Sequence, residues 1–190
     1  MRRARGWAIL ARMNPIAELH RRLDNLLRPG TIYAVDASQA RCRVKSGELL
    51  TDWLPYFVHR AGSRRDVEHP TAGEQCLVLS PSGVIAAGLV LVGINSDQFT
   101  APHSNPALHS SHFSDGAVIS YNRETHTLTA TLPAGGSAAI TAPAGVQITG
   151  DVTITGTVTV SEDVIASGKS LVHHVHTGVE RGNSLTDAPA

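Results

Sequence analysis

Val146-Gln-Ile-Thr-Gly-Asp151, Val152-Thr-Ile-Thr-Gly-Thr157, Val158-Thr-Val-Ser-Glu-Asp163 and Val164-Ile-Ala-Ser-Gly-Lys169 follow one another without a gap. Val opens every unit, Ile, Val or Ala stands third, and Gly is fifth in three of the four. Self-similarity at a fixed short period is the signature of β-helical architectures. Six is even, so the alternation of a strand's two faces survives each repeat, and the apolar side chains stay on even numbers. The phase runs backwards through Leu128, Ala130, Leu132, Ala138, Ile140 and Ala142, while threonines from Thr127 to Thr159 take the odd positions.

One chain does not close this structure. A left-handed hexapeptide helix takes three hexads per coil, so four hexads make little more than one coil, with unpaired edges and a half-wet apolar face. Burying a Val or Ile contributes roughly 1.5–3 kcal/mol, whereas ordering each residue costs about 1–2 kcal/mol of backbone entropy. One half-covered apolar residue in every two or three does not win. Three chains around a common axis, each supplying one side of a prism, solve the problem, and the repeat therefore predicts a homotrimer.

Ser170-Leu-Val-His-His-Val-His-Thr-Gly-Val179 ends the regular part. If the extended phase persists through Gly168 and Lys169, Val172, His174 and His176 point inward and His173 points out. Two imidazoles at i and i+2 ligate a metal only with help from elsewhere, and a threefold axis brings six. An octahedral set of nitrogens suits a divalent first-row ion such as iron, nickel or cobalt better than tetrahedral zinc. His174 and His176 are the candidate metal ligands, and no catalytic residue is assigned.

Ahead of the repeat the chain changes character. Residues 1–65 hold 13 of the 16 Lys and Arg against five acids, and residues 98–168 hold Arg123 alone against five acids. Asn14 and Pro15 open a helix whose apolar positions are Ile16, Leu19, Leu23, Leu26 and Leu27, with Pro29-Gly30 as its stop. That stripe asks for a partner, either the rest of the protein or a neighbouring subunit. Five short strands are expected at 31–35, 40–45, 51–58, 75–80 and 85–94, separated by turn signals, and they fit a small closed barrel of the OB type. Cys42 and Cys76 read as buried small hydrophobes. His103, His109 and His112 lie in a Pro-, Asn- and Ser-rich connector and read as solvated. No stretch has the apolar length of a membrane span or a signal peptide, so synthesis in the cytoplasm is expected. The all-β chain thus divides into an N-terminal extension and helix (1–29), an OB-fold domain (30–97), a connector (98–116), a trimeric β-helix (117–168) and an apex with tail (169–190).

A nucleic-acid-binding module and an enzyme both fit the residues less well. Trp53, Tyr56 and Phe57 beside Arg60, Arg64 and Arg65 evoke a single-strand nucleic-acid platform, but they share one strand that Pro55 interrupts, which makes this the lesser reading. No Ser/His/Asp order, paired carboxylates or phosphate loop emerges, and a hexapeptide-repeat acyltransferase needs many more coils. The expected protein is not an enzyme.

From about Met13 the sequence resembles the P2-type baseplate assembly protein V family, the central spikes of contractile phage tails and R-type pyocins. The resemblance rests on Pro29-Gly-Thr-Ile-Tyr-Ala-Val-Asp36, Trp53-Leu-Pro55, Gly73-Glu-Gln-Cys-Leu-Val-Leu-Ser-Pro-Ser-Gly83, the repeat, and His174-Val-His-Thr-Gly-Val179. It implies an OB-fold, an intertwined three-chain β-helix, and an apex where three His-x-His pairs hold one iron ion per trimer. His173 departs from the small residue expected beside the pair. The resemblance further implies a place in the virion tail baseplate, hub and tail-tube partners at the N-terminal end, and a tip that pierces the host outer membrane when the sheath contracts.

Overall fold

A capped helix opens the described part of the chain, which in the computed structural model comprises residues 14–178 and 182. The expected extension over 1–12 and, apart from Gly182, the expected tail over 180–190 lie outside the described residues. Helix α1 spans Pro15–Leu26, and the Ile16 N–H donates to Asn14 Oδ1 at 3.0 Å. It ends earlier than expected. Pro29 and Gly30 lie inside strand β1 (Leu27–Asp36) rather than stopping the helix. The proline is tolerated because residues 27–30 pair only with β5 (Gln75–Leu79), and pairing with β2 (Arg41–Ser46) begins at Thr31. Pro29 thus sits where β1 is still an edge on one side, and its carbonyl accepts the Ser46 hydroxyl at 2.7 Å.

The strands close on themselves. β3 (Leu49–Leu50) and β4 (Leu54–Pro55) pair with β2, β2 with β1, β1 with β5, and β5 with β6 (Leu89–Ile94). A parallel bridge between Tyr56 and Val90 joins the two ends, with the Phe57 N–H donating to the Val90 carbonyl at 3.0 Å. Alternate residues face inward, and Ile32, Cys42, Val44, Leu54, Cys76, Val78 and Val90 form one core with Val35, Tyr56 and Val92 against it. This is the expected small barrel, with two local corrections. The strand expected over 51–58 is reduced to Leu54–Pro55 because Pro55 breaks the ladder. That expected over 85–94 begins only at Leu89, after a 3-10 turn at Ile85–Ala87. Burial pushes the Cys42 thiol up to about 11 and the Cys76 thiol up to about 12, with the nearby Glu74 carboxylate adding to both. Both cysteines are free, as small core hydrophobes should be.

Within the expected connector, Leu108–His112 form strand β7, which pairs antiparallel with β8 (Val118–Asn122), itself paired with β9 (Thr127–Thr131). Asp115 and Asn122 accept backbone N–H groups in the two turns, as short polar side chains do.

The chain divides into two units, Met1–Gly136 and Ser137–Ala190. Within the second, residues 137–164 form no strand pairs with one another. Val146, Ile148, Val152, Ile154, Val158, Val160 and Val164 are left 43–68% exposed. Gly150 and Gly156, six residues apart, repeat the same backbone conformation at φ 129° and 131°, a region that side-chain-bearing residues rarely enter. The sequence period is therefore a structural period, with a glycine corner in each unit until Glu162 replaces it. No helix among the described residues is long and apolar enough to cross a membrane.

Candidate metal centre

Within the second unit, residues 165–170 form a hairpin. Strands β10 (Ile165–Ala166) and β11 (Lys169–Ser170) pair antiparallel, with Ser167 and Gly168 as a two-residue loop at φ 51° and 78°. Two successive positive φ values make the primed turn that matches strand twist. The extended phase therefore does not persist through Gly168 and Lys169. This overturns the expectation that alternation alone would aim His174 and His176: the left-handed pair at 167–168 reverses the chain, and a turn at 171–173 follows.

Other contacts order the histidines. One carboxylate oxygen of Asp163 accepts the N–H groups of Val164 at 2.8 Å and Val172 at 3.1 Å, and the Leu171 N–H donates to the Val164 carbonyl at 2.8 Å. The Ser170 hydroxyl holds the Asp163 carboxyl below its ordinary value, and the surrounding backbone N–H groups add to the effect. Ser170 Oγ also accepts the His173 N–H at 2.7 Å. Asp163 and Ser170 are the residues that sequence reasoning missed. The signal is present, since Ser167-Gly168 is a turn marker, but the pair also fits the fourth hexad.

On this base the rings of His174 and His176 meet edge to face, 5.0 Å between centroids and 78° between planes. His174 Nδ1 lies 2.9 Å from the Leu171 carbonyl. A carbonyl only accepts, so Nδ1 carries a proton, and in the neutral ring Nε2 is the nitrogen open to a metal, the arrangement that orients metal-ligating imidazoles. The donor set thus fits a metal that takes imidazole nitrogen. One chain contributes two such rings, and among the described residues no group of three or more His, Cys, Asp or Glu is placed to hold an ion.

The remaining candidates are engaged elsewhere. His103 and His112 each place Nε2 on Ser110 Oγ, at 2.9 and 3.0 Å, while His109 alternates to the opposite face of β7. Tyr56 is bound to His69 Nδ1 at 2.6 Å, Arg64 to Asp66, and Arg41 Nη1 to the Trp53 carbonyl. Trp53, Tyr56 and Phe57 form no common strand face on which successive bases would stack.

Residues 28–94 match the family described as the type VI secretion system/phage-baseplate injector OB domain. Residues 170–190 match the GpV apex motif. The chain is 43% identical to the spike protein of Escherichia phage P2, in an alignment covering 67% of this chain and 64% of that protein. The barrel falls within the first match, and the paired histidines fall within the second. The chain thus carries a stretch similar to the injector OB domain at 28–94 and one similar to the apex motif at 170–190, and it spans less than two thirds of the length of the phage P2 spike protein to which it is similar.

Proposed function

We propose that the chain is the central spike of a contractile phage-type tail baseplate, a homotrimer that pierces the outer membrane of the target cell when the sheath contracts. The observation that carries this reading is the exposed apolar repeat. Seven Val and Ile side chains of one chain stand 43–68% exposed on a periodic backbone. Covering them by two further copies would contribute roughly 5–10 kcal/mol per chain. The proposed segments are the helix to residue 29, the OB domain over 30–97, a connector over 98–116, the three-chain β-helix over 117–168 and the apex over 169–190.

At the apex, His174 and His176 of three chains would bind one metal ion through six imidazole nitrogens. The family resemblance favours iron, and nickel, cobalt or zinc are the alternatives. The ion would supply bonds that stop the three chain ends from fraying, the usual fate of termini. Val175 between the two ligands is 85% exposed, and three copies of it would shape the tip. The role is mechanical rather than enzymatic, in a virion tail, with the hub at the N-terminal end. Sedimentation with metal analysis tests it: about one metal per three chains is expected, and a His174→Ala/His176→Ala variant should lose the metal. A metal-free monomer would overturn the reading.

A further inference from the structure

Helix α1 is amphipathic, yet it meets the barrel through its polar side. Asn25 is its only buried residue, at 6% exposure, and Asn25 Oδ1 accepts from Arg28 Nη1 at 3.0 Å. Arg22, one turn earlier, lays its backbone on Gly83, where a side chain would collide with it. The apolar residues Ile16, Leu19, Leu23 and Leu26 lie about a third of a turn around the helix and are 62, 55, 53 and 38% exposed. The stripe is therefore not covered by the rest of the described chain.

Its spacing identifies what covers it. The steps are three, four and three residues, and no other Ile, Leu, Val, Met or aromatic residue lies in the helix. A surface helix that packs on a globular core presents a broader face, whereas a strict a/d stripe is the narrow seam of helices that pack on one another. We infer that α1 of each chain packs along Ile16, Leu19, Leu23 and Leu26 against the α1 helices of two further copies, forming a short parallel three-helix bundle at the N-terminal end. This rests on the trimer proposed above. Rotational symmetry supplies the register, because a threefold axis places identical helices at one height with one inclination and one sense.

Two further features agree. Arg22 flanks the seam, where three like charges would meet, but each is held by Glu18 of its own helix at 2.7 Å. A 12-residue helix is marginal alone in water, and its N-cap and the Glu18 ion pairs do not cover its apolar side. Tethering by a trimeric tail raises the effective concentration of the three helices, so two apolar layers of modest affinity suffice.

Single cysteines read the geometry directly. In Leu19→Cys the new thiol lies in the seam, and in Ala17→Cys it lies on the outer side. The native Cys42 and Cys76 are fully buried, so mild oxidation acts on the introduced thiol. With the particle sedimenting as a trimer, Leu19→Cys should convert most chains to a disulfide-linked pair, with loss of the monomer band to the extent that two of three chains can pair. Ala17→Cys should remain monomeric in denaturing gels, and Leu23→Cys should repeat the Leu19→Cys result. An intact trimer in which neither seam cysteine cross-links would overturn this inference alone. A monomeric particle would overturn the spike reading itself.

Discussion

Asp163 accepts the backbone N–H of Val172 at 3.1 Å, nine residues on, and so ties the end of the repeat to the segment that carries the histidine pair. The same oxygen accepts from Val164. Replacing Asp163 by Ala removes both hydrogen bonds. The expected outcome is a trimer that still assembles but holds its metal more weakly, measured as a lower chelator concentration for half release. Asp163→Asn, which keeps an acceptor oxygen, should fall between the two.

The acid range tests two carboxylates. Arg21, and then Arg22, hold Glu18 at about 2, against an ordinary value of 4.5. A carboxyl depressed on folding stabilises the folded form above its ordinary value, and the contribution is lost as pH falls through the depressed one. The helical signal of α1 should be level from pH 7 to pH 5 and weaken as pH falls from 4.5 towards 2. Glu18→Gln should abolish that slope in a circular dichroism titration. Asp163 is also depressed, from an ordinary value of 3.8, so its support of the hairpin should be lost only below that.

Gly150 and Gly156 form the corners of the repeat, at φ 129° and 131°. Gly156→Ala forces a side chain into that region, at a cost of roughly 1–3 kcal/mol per chain. The expected outcome is a lower thermal midpoint of the trimer. Thr155→Ser, one residue away, should change stability by about 0.5 kcal/mol or less.

Cys42 and Cys76 are buried in the barrel core with thiols raised to about 11 and about 12. At pH 8 neither should react with a thiol reagent until the barrel opens, so labelling kinetics should report barrel unfolding directly. Both should react fully in denaturant.

Much of this was legible in the residues because the relevant signals are local. Asn14 and Pro15 mark the start of α1, and alternation marks which residues of β2 and β5 face inward. The helix end was not legible, because Pro29-Gly30 looks like a stop until the pairing is known. Only the tertiary fact that β1 lacks its β2 neighbour before Thr31 makes a strand proline tolerable there. The histidine pair was legible as a pair, since i and i+2 are close in almost any extended backbone. Its orientation was not, because Ser167-Gly168 satisfies the hexad pattern and a tight turn equally well. The polar footing of α1 on Gly83 had no sequence signal, and the uncovered Leu19 and Leu23 follow from it.

Native mass spectrometry of the intact particle tests directly the proposed closure of three chains on one ion through His174 and His176. A species of three 20.1-kDa chains plus the mass of one divalent metal is expected. His174→Ala/His176→Ala should shift it to the metal-free mass. A single chain, or a trimer whose bound metal survives that double substitution, would contradict it.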